Sequence, residues 1–569
     1  MTTTDAPGPA MAAGAPRPAR SGLNGWVVAG AIVAALVSIP IAVVAGSVFA
    51  PAGEVWRHLV DTVLGLYVRN SLILMLGVGA TTLIIGVVTA WLVTLCRFPG
   101  RALFEWALLL PFAVPAYVVA FTYGWMFEYA GPVQGALRAF FGWGHGDYWF
   151  PAIRSPGGAV FVLSMVFYPY VYLLARTAFL EQSVCVIEVA RTLGRGPWRA
   201  FAEVALPLAR PAIAGGVALA LMETLSNFGA VKQLAVPTFT TGIFRTWFGL
   251  GDATAAAQLS AVLMLFVLAV ILAERFSRGG RRFDHTSRRY RALPRFRLRG
   301  AKAAAAVIVC ATPIVFGFLL PGAQLVAWTL DTAATVIDAR FVTLALNSVG
   351  LAAMAALIAV AVALVLAYGA RLRRGPMMAA ILRFASLGYA IPGSVIAVGV
   401  LLAFAWTDNR VDDFFRAQFG VSTGLLLSGT LVALLFAYVV RFLAVSLNGV
   451  EASLAKITPA IDGAARTLGL GPGAALIRVH APIIAGSLFT AGLLVFVDVM
   501  KELPATLIMR PFNFNTLAVR AFELASDEQL AAAAPAALAI VAVGIVPVVL
   551  LTLAIARSRP GHRPGRGLG

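Results

Sequence analysis

Long apolar runs alternate with short polar segments along most of this chain. The runs reach about 17–25 residues or more, which is the length that an α-helix needs to cross a bilayer. They form two sets of six, near 24–49, 67–95, 103–127, 157–180, 211–236 and 256–276, and near 303–328, 343–369, 378–405, 424–448, 484–508 and 531–556. The pattern predicts an all-α, polytopic membrane protein with about 12 transmembrane helices.

The two sets of runs carry the same short phrases at matching places. The phrase Ala-Arg-Thr-Leu-Gly occupies residues 190–194 and again residues 465–469, close to half a chain apart. Further matches pair Asn70 with Asn347, Ser71 with Ser348, Pro115 with Pro392, and Thr241 with Thr516. This self-similarity predicts a duplicated six-span unit. Because six is even, both copies enter the membrane from the same side, which makes the repeats parallel.

The distribution of charge predicts the orientation. Hydrophobic residues make up 60% of the sequence and charged residues 12%, with a formal net charge of +19. With the N-terminus inside, the cytoplasmic segments hold nearly three times as many Lys and Arg residues as the external loops, as the positive-inside rule requires. The most basic segment joins the two halves, where it suits anionic lipid headgroups better than nucleic acid.

These patterns predict a multi-pass membrane protein with both termini in the cytoplasm. The apolar run that starts near residue 24 is too long for a signal-peptide core, so it is interpreted as the first span. The predicted units are a disordered tail at 1–23, a first half at 24–276, a basic linker at 277–302, a second half at 303–556 and a basic tail at 557–569.

The repeated phrase lies in two cytoplasmic loops, at 181–210 and 449–483. In each loop an acidic residue and small residues precede a Gly, and a Gly permits a sharp change of direction at a helix end. Pro197 and Pro472 then suit the start of a new helix. The predicted local structure is therefore helix, Gly turn, helix on the cytoplasmic face. A single copy would be typical of an ordinary loop helix, but two matching copies favour a duplicated docking surface.

These loops resemble the EAA loop of ABC importer permeases, which begins acid–Ala–Ala and continues through a Gly turn to a downstream Pro. The matching residues are Glu188, Ala190, Gly194 and Pro207 in the first half, and Asp462, Ala464, Ala465, Gly469 and Pro482 in the second. The resemblance implies that each loop docks into one of two copies of a cytoplasmic ATPase subunit. It also implies a periplasmic substrate-binding protein as a partner and a location in the bacterial inner membrane.

The chain itself has no sequence for ATP hydrolysis. A P-loop needs Gly-Lys-Ser/Thr, and none of the four lysines, at 232, 302, 456 and 501, follows a Gly. We therefore expect no enzyme activity and no bound cofactor in this chain, with ATP and magnesium used by the partner subunit. The five histidines are dispersed, so no metal site is predicted, and His480 is expected to make a surface contact.

Two predicted spans carry ionisable or amide side chains at corresponding places. Glu223 and Asn227 lie in one, and Asp498 and Glu502, with Lys501 beside them, lie in the other. The spacing of four within each pair predicts that its members share one helix face. Charges inside a membrane are costly and normally face a bundle interior or a water path. They are interpreted either as the lining of a translocation path or as structural contacts between helices.

Two longer stretches resemble the ferric-iron permeases among ABC importers, whose two halves are fused as they are here. The stretches are 222–252, beginning Met-Glu-Thr-Leu-Ser-Asn-Phe-Gly, and 501–526, beginning Lys-Glu-Leu-Pro-Ala-Thr-Leu. The resemblance implies import of ferric iron, a hard cation that oxygen ligands suit. Thiamine permeases are also fused and related, so thiamine or another small solute is an alternative. A secondary transporter driven by an ion gradient is the alternative from another class.

Overall fold

The computed structural model describes residues 25–51, 53–181, 201–278, 295–373 and 375–557. Ten helices in these ranges are long and apolar enough to cross a membrane. Two further pairs of helices are each bent by more than 80°, and counting each pair as one span gives twelve. The predicted all-α, polytopic architecture is confirmed.

The described residues of the first half form eleven α-helices. Their lengths follow the apolar runs, because a helix satisfies all of its backbone hydrogen bonds internally and is stable in lipid. The helices are α1 Gly25–Gly46, α2 Glu54–Thr62, α3 Leu64–Leu95, α4 Arg101–Ala107, α5 Ala116–Phe127, α6 Pro132–Phe141, α7 Pro156–Glu181, α8 Leu206–Ser226, α9 Gly229–Gln233, α10 Phe239–Phe244 and α11 Ala253–Arg278.

The described residues of the second half form thirteen α-helices. Its helices are α12 Ala301–Ile314, α13 Leu320–Val336, α14 Ala339–Leu372, α15 Pro376–Ala385, α16 Gly393–Phe419, α17 Leu431–Leu454, α18 Pro459–Thr467, α19 Pro472–Ala475, α20 Ala481–Ile483, α21 Ala485–Met500, α22 Pro504–Met509, α23 Leu517–Ser526 and α24 Leu530–Arg557.

Matching hydrogen bonds relate the two halves. Asn70 of α3 donates its side-chain N–H to the carbonyl of Pro237 at 2.8 Å, and Asn347 of α14 donates to the carbonyl of Asn515 at 3.3 Å. Both bonds hold a long span against the loop that precedes a short helix, α10 or α23. The predicted match of Asn70 with Asn347 thus extends to the partner of each side chain.

The predicted match of Thr241 with Thr516 is wrong by three residues. Thr238 is the residue that caps the N-terminus of α10, and Thr516 caps α23 in the same way. Thr241 lies one turn inside α10, where its hydroxyl accepts from the Thr238 backbone N–H at 2.8 Å. The mismatch arises because both segments are rich in threonine, and the phrase spacing alone does not identify which one is the cap.

Proline residues begin new helices within two predicted spans. Pro115 and Pro392 have nearly the same backbone angles, with ψ of 138° and 140°, and each lies immediately before a helix, α5 or α16. Short 3₁₀ turns, Leu110–Ala113 and Leu387–Ala390, precede them. The helices are interrupted at these prolines, since proline lacks the N–H that a continuing helix needs.

The two halves interlock through their first spans. Helix α1 packs against α14, α15 and α16 of the second half. In return, α12 and the π-helical turn Val315–Leu319 pack against α3, α4 and α7 of the first half. A two-residue parallel strand pair, β1 Cys96–Arg97 with β2 Phe296–Arg297, adds a second link. The central elements of the two halves, α8–α9 and α21–α22, are therefore held face to face.

Candidate functional site

A cavity of about 100 Å³ lies where the central elements of the two halves meet. All five of the polar residues predicted for a translocation path line it: Glu223, Asn227, Asp498, Lys501 and Glu502. The rest of the lining is largely aromatic and comes from both halves, including Tyr117, Tyr170 and Tyr389. The cavity is the place where this membrane protein gathers polar groups from the two repeats.

The polar residues lie at breaks in the helices, which corrects the prediction that each pair shares one helix face. Helix α8 ends at Ser226, and Asn227 is extended, with ψ of 117°. Its side-chain oxygen accepts from the Ala230 N–H at 2.9 Å and so caps α9. In the second half α21 ends at Met500, and Glu502 caps α22. Hydropathy measures apolar content only, so it does not reveal such breaks.

Close packing explains why the first break contains a glycine. A Cβ on Gly229 would lie 2.6 Å from Cβ of Tyr117 and 2.8 Å from a methyl group of Leu503. Real Cβ atoms do not approach other atoms this closely, so any side chain here would push the two halves apart. The glycine therefore allows α9 of the first half to contact the second half beside the cavity.

Glu502 is fully engaged in structural contacts. Its carboxylate accepts from the backbone N–H groups of Ala505 and Thr506, each at 3.1 Å, and from the Thr506 hydroxyl at 2.9 Å. It also pairs with Arg441 of α17 at 3.0 Å, and both side chains are almost completely buried. Arg441 in turn donates to the Ser226 hydroxyl at 3.1 Å, which connects the two halves. Of the two interpretations given for these charges, the structural one fits Glu502.

The remaining charges of the cavity leave one carboxylate without a salt bridge. Asp498 pairs with Lys501 at 2.9 Å, as their spacing of three allows. Glu223 has no basic nitrogen within 4.0 Å among the residues that the structure describes. Three acidic and two basic side chains thus line the cavity, and Glu223 is the acid that lacks a close base in the described part of the chain. The site is suited to a solute that is positively charged or that binds oxygen ligands.

The second coupling segment, defined as residues 458–483, has the predicted helix, Gly turn and helix. Gly469 has φ of +77° after α18. The N–H of Leu470 donates to the carbonyl of Ala465, and that of Gly469 to the carbonyl of Arg466, both at 3.0 Å. This pair of bonds is the Schellman motif, which glycine favours. Most of the turn is exposed, and Leu468 shows 80% of its surface.

Several predicted coupling residues are placed by the structure. Asp462 lies in the first turns of α18, Ala465 is buried beneath it, and Pro482 lies in α20. Pro207 lies at the start of α8, after the π-helical turn Phe201–Ala205. The other predicted residues of the first loop, Glu188, Ala190 and Gly194, lie outside the described residues.

Comparison with known proteins places these features in a family. Residues 82–282 match the model of the binding-protein-dependent transport system inner membrane component. The chain is 28% identical over 488 residues to the Fe(3+)-transport system permease protein FbpB 2 of Haemophilus influenzae, covering 85% of this chain and 88% of that protein. It is 30% identical over 203 residues to the molybdenum transport system permease protein ModB of Escherichia coli, covering 34% of this chain and 86% of ModB.

This chain belongs to that family, the permeases of ABC importers. A third relative, the sulfate transport system permease protein CysT of Escherichia coli, is 30% identical over 152 residues, covering 27% of this chain and 52% of CysT. These relatives are permease proteins and not enzymes. Together with its apolar helices, the family makes this chain a multi-pass inner-membrane protein.

Three further residues that line the cavity of this permease were not among the predicted site residues. Arg441 is a lone arginine in an apolar run, and such residues normally have a buried partner, so its presence was a usable signal. Nothing in the sequence distinguishes Tyr170 and Tyr389 as cavity residues, because aromatic residues are common in membrane spans. Their pairing with the charged residues depends on contacts between distant segments, which one sequence does not reveal.

His480 is buried, contrary to the surface contact expected for it. None of its surface is exposed, and both ring nitrogens are hydrogen-bonded. It lies at the end of the π-helical turn Leu476–His480, which carries the chain from α19 into α20. The expectation failed because a loop position predicts exposure only when the loop does not fold back on the protein, and this one does.

Proposed function

We propose that this permease imports ferric iron through the cavity between its two halves. FbpB 2, a relative that matches 85% of the chain, is an Fe(3+)-transport permease, and a match of this length extends over both halves. ModB and CysT match about a third of the chain or less. The likeness to FbpB 2 is therefore more informative about a cavity that both halves line.

The charge of the cavity is the observation that carries the proposal. Two of its three carboxylates are neutralised by Arg441 and Lys501, and Glu223 is left over. Molybdate and sulfate are anions, which an unpaired carboxylate repels. Ferric iron prefers oxygen ligands, and the Glu223 carboxylate with the nearby tyrosine hydroxyls offers them. A cation is therefore the better fit of the substrates handled by these relatives.

The proposed complex contains two copies of a cytoplasmic ATPase subunit and a periplasmic binding protein. The second coupling segment and the matching loop of the first half would each dock into one ATPase subunit, with both termini and the basic linker 277–302 in the cytoplasm. Closure of the ATPase pair on ATP would move the two halves against each other and open the cavity outward. The permease would provide the path for the substrate and would pass the movement of the ATPase subunits to its spans. The ATP and magnesium would be used by the partner subunit.

Uptake by the reconstituted complex tests this proposal. The permease, its ATPase and its binding protein are placed in liposomes, and uptake of ferric iron, molybdate, sulfate and thiamine is measured with and without ATP. We expect ATP-dependent uptake of iron. Transport of molybdate, sulfate or thiamine in place of iron would refute the substrate, and uptake without ATP and the ATPase would favour a secondary transporter.

A variant of Glu223 links the result to the cavity. Glu223→Gln keeps the size of the side chain and removes its charge, so we expect iron uptake to fall about ten-fold or more, the scale of one lost charge contact. Asp331→Asn is the matched control, because Asp331 is exposed and has no side-chain hydrogen bond or ion pair in the described part of the chain. Equal uptake by the two variants would remove Glu223 from the path.

A further inference from the structure

The second coupling segment is tied to the membrane-spanning helices by a cluster of three side chains. Asp462 of α18 accepts from Arg371 through one carboxylate oxygen at 2.8 Å, and its other oxygen lies 2.7 Å from the His480 ring. Arg371 is in the last turn of α14, and His480 begins the approach to α21. One carboxylate thus connects the exposed segment to elements on both sides of it.

Arg371 binds more than the carboxylate. It donates to the backbone carbonyls of Leu454 at 2.6 Å and Ile457 at 2.8 Å. These carbonyls lie at and just beyond the end of α17, where a helix leaves its last C=O groups without partners. The guanidinium therefore joins the ends of α14 and α17 to α18. A planar fork of donors suits this task, and a lysine could not repeat it.

His480 adds two further hydrogen bonds to the cluster. Nε2 faces the Asp462 carboxylate, and Nδ1 faces the carbonyl of Ala475 at 2.9 Å. Both partners only accept, so both bonds form together when the ring carries two N–H groups. Partial burial acts to raise the pKa of Asp462, but the hydrogen bonds from Arg371 and His480 outweigh it and hold that pKa below its ordinary value of 3.8.

The sequence of the first half does not repeat the two basic residues of this cluster. Aligning the ends of α3 and α14 places Thr94 opposite Arg371, and aligning Pro207 with Pro482 places Ala205 opposite His480. Neither side chain can donate to a carboxylate as a cation. The duplicated loops therefore share the phrase that ends in Gly194 or Gly469, but not the residues at these two positions.

We propose that Arg371 and His480 are positioning residues that make the second coupling segment move as one body with α14 and α17. The proposal rests on the proposed docking of an ATPase subunit at this segment. Movement imposed on the exposed turn around Gly469 would then reach the spans through a fixed cluster. In the first half the same movement must pass through other contacts.

The test uses the whole complex in liposomes or nanodiscs, with three permease variants. Arg371→Gln removes the fork, His480→Gln removes the ring with little change in polarity, and Arg383→Gln is the control, because Arg383 is exposed and unpaired in the part of the chain that the structure describes. The readouts are the ATPase subunits bound per permease, the basal rate of ATP hydrolysis, and the uptake per ATP hydrolysed. A spin label at Leu468→Cys reports the mobility of the exposed turn.

We expect Arg371→Gln and His480→Gln to keep both ATPase subunits and basal hydrolysis, while uptake per ATP falls about five-fold or more, the usual range of coupling between sites. The label should become more mobile. Arg371→Gln combined with Asp462→Asn should be no worse than Arg371→Gln alone, since the residues act together. If Arg371→Gln does not fold, the result for His480→Gln alone decides whether the positioning role stands.

The outcomes separate the two proposals. If the unmodified permease binds no ATPase subunit, the proposed docking is wrong. If it binds the subunits and transports, but Arg371→Gln and His480→Gln couple as well as Arg383→Gln and leave the label unchanged, the positioning role is refuted and the docking stands.

Discussion

Replacing Gly393 with alanine should disrupt the buried ion pair beside the cavity without removing either charge. Gly393 begins α16, and a Cβ there would lie 1.9 Å from Nη1 of Arg441 and 2.6 Å from the Glu502 carboxylate. Glu502 cannot retreat, because it also caps α22 through two backbone N–H groups. The guanidinium must therefore move, and it loses its contacts with Glu502 and Ser226.

The size of the effect follows from those contacts. A hydrogen bond to a charged group contributes about 1.5–3 kcal/mol, and breaking a buried ion pair costs about 3–5 kcal/mol. If the guanidinium turns into the cavity toward Glu223, part of the lost free energy is recovered. We therefore expect Gly393→Ala to lower the free energy of unfolding by about 3 kcal/mol and to reduce transport.

The measurement is the denaturation of the purified permease in nanodiscs, by heat and by SDS titration, together with uptake in liposomes. Gly124→Ala is the control, because Gly124 lies in α5 and an added Cβ would meet no atom within 4 Å. An unchanged midpoint and unchanged uptake for Gly393→Ala would show that Arg441 does not need its present position, which would refute the structural role assigned to the pair.

Three further predictions concern the cavity, the coupling turn and the duplication. Glu223→Gln combined with Asp498→Asn should reduce transport more than assembly. Loss of the assembled complex in gel filtration would instead show that the two side chains have a structural role. Gly469→Asp should leave the protein folded but weaken ATPase binding, because φ of +77° strains other residues. Gly375→Asp, at an exposed and open position outside the second coupling segment, is the control, and equal binding by the two variants would count against the turn. Asn70→Leu and Asn347→Leu should each lower the free energy of unfolding by about 1 kcal/mol, as for one hydrogen bond, and unequal effects would contradict their equivalence.

The span pattern and the duplication could be predicted because they depend on local properties. Apolar length identifies spans, and repeated phrases such as 190–194 and 465–469 set the alignment of the halves. That alignment paired Asn227 with Glu502, and the structure shows both as caps of short helices. The equivalence was predictable from spacing, although the helix breaks that make the capping possible were not.

What the sequence could not supply is the set of contacts between distant segments. Arg441 meets Glu502 across 61 residues of chain, and Arg371 meets Asp462 across 91. No periodicity relates such partners, since their meeting depends on how whole helices pack. The burial of His480 has the same origin, because it is created by the fold of the loop that contains it.

The two halves therefore share their helix breaks and helix caps, but they differ in the charges of the side chains at these places. Asn227 and Glu502 perform the same capping task, but the carboxylate adds a buried charge, and Arg441 in the second half neutralises it. Asp498 pairs with Lys501, whereas its counterpart Glu223 has no basic partner among the described residues. A relative that matches one half can report on the shared framework, but the charge of the cavity arises only from both halves together. The identity of the cargo must therefore be sought in the differences between the repeats, with Glu223 first among them.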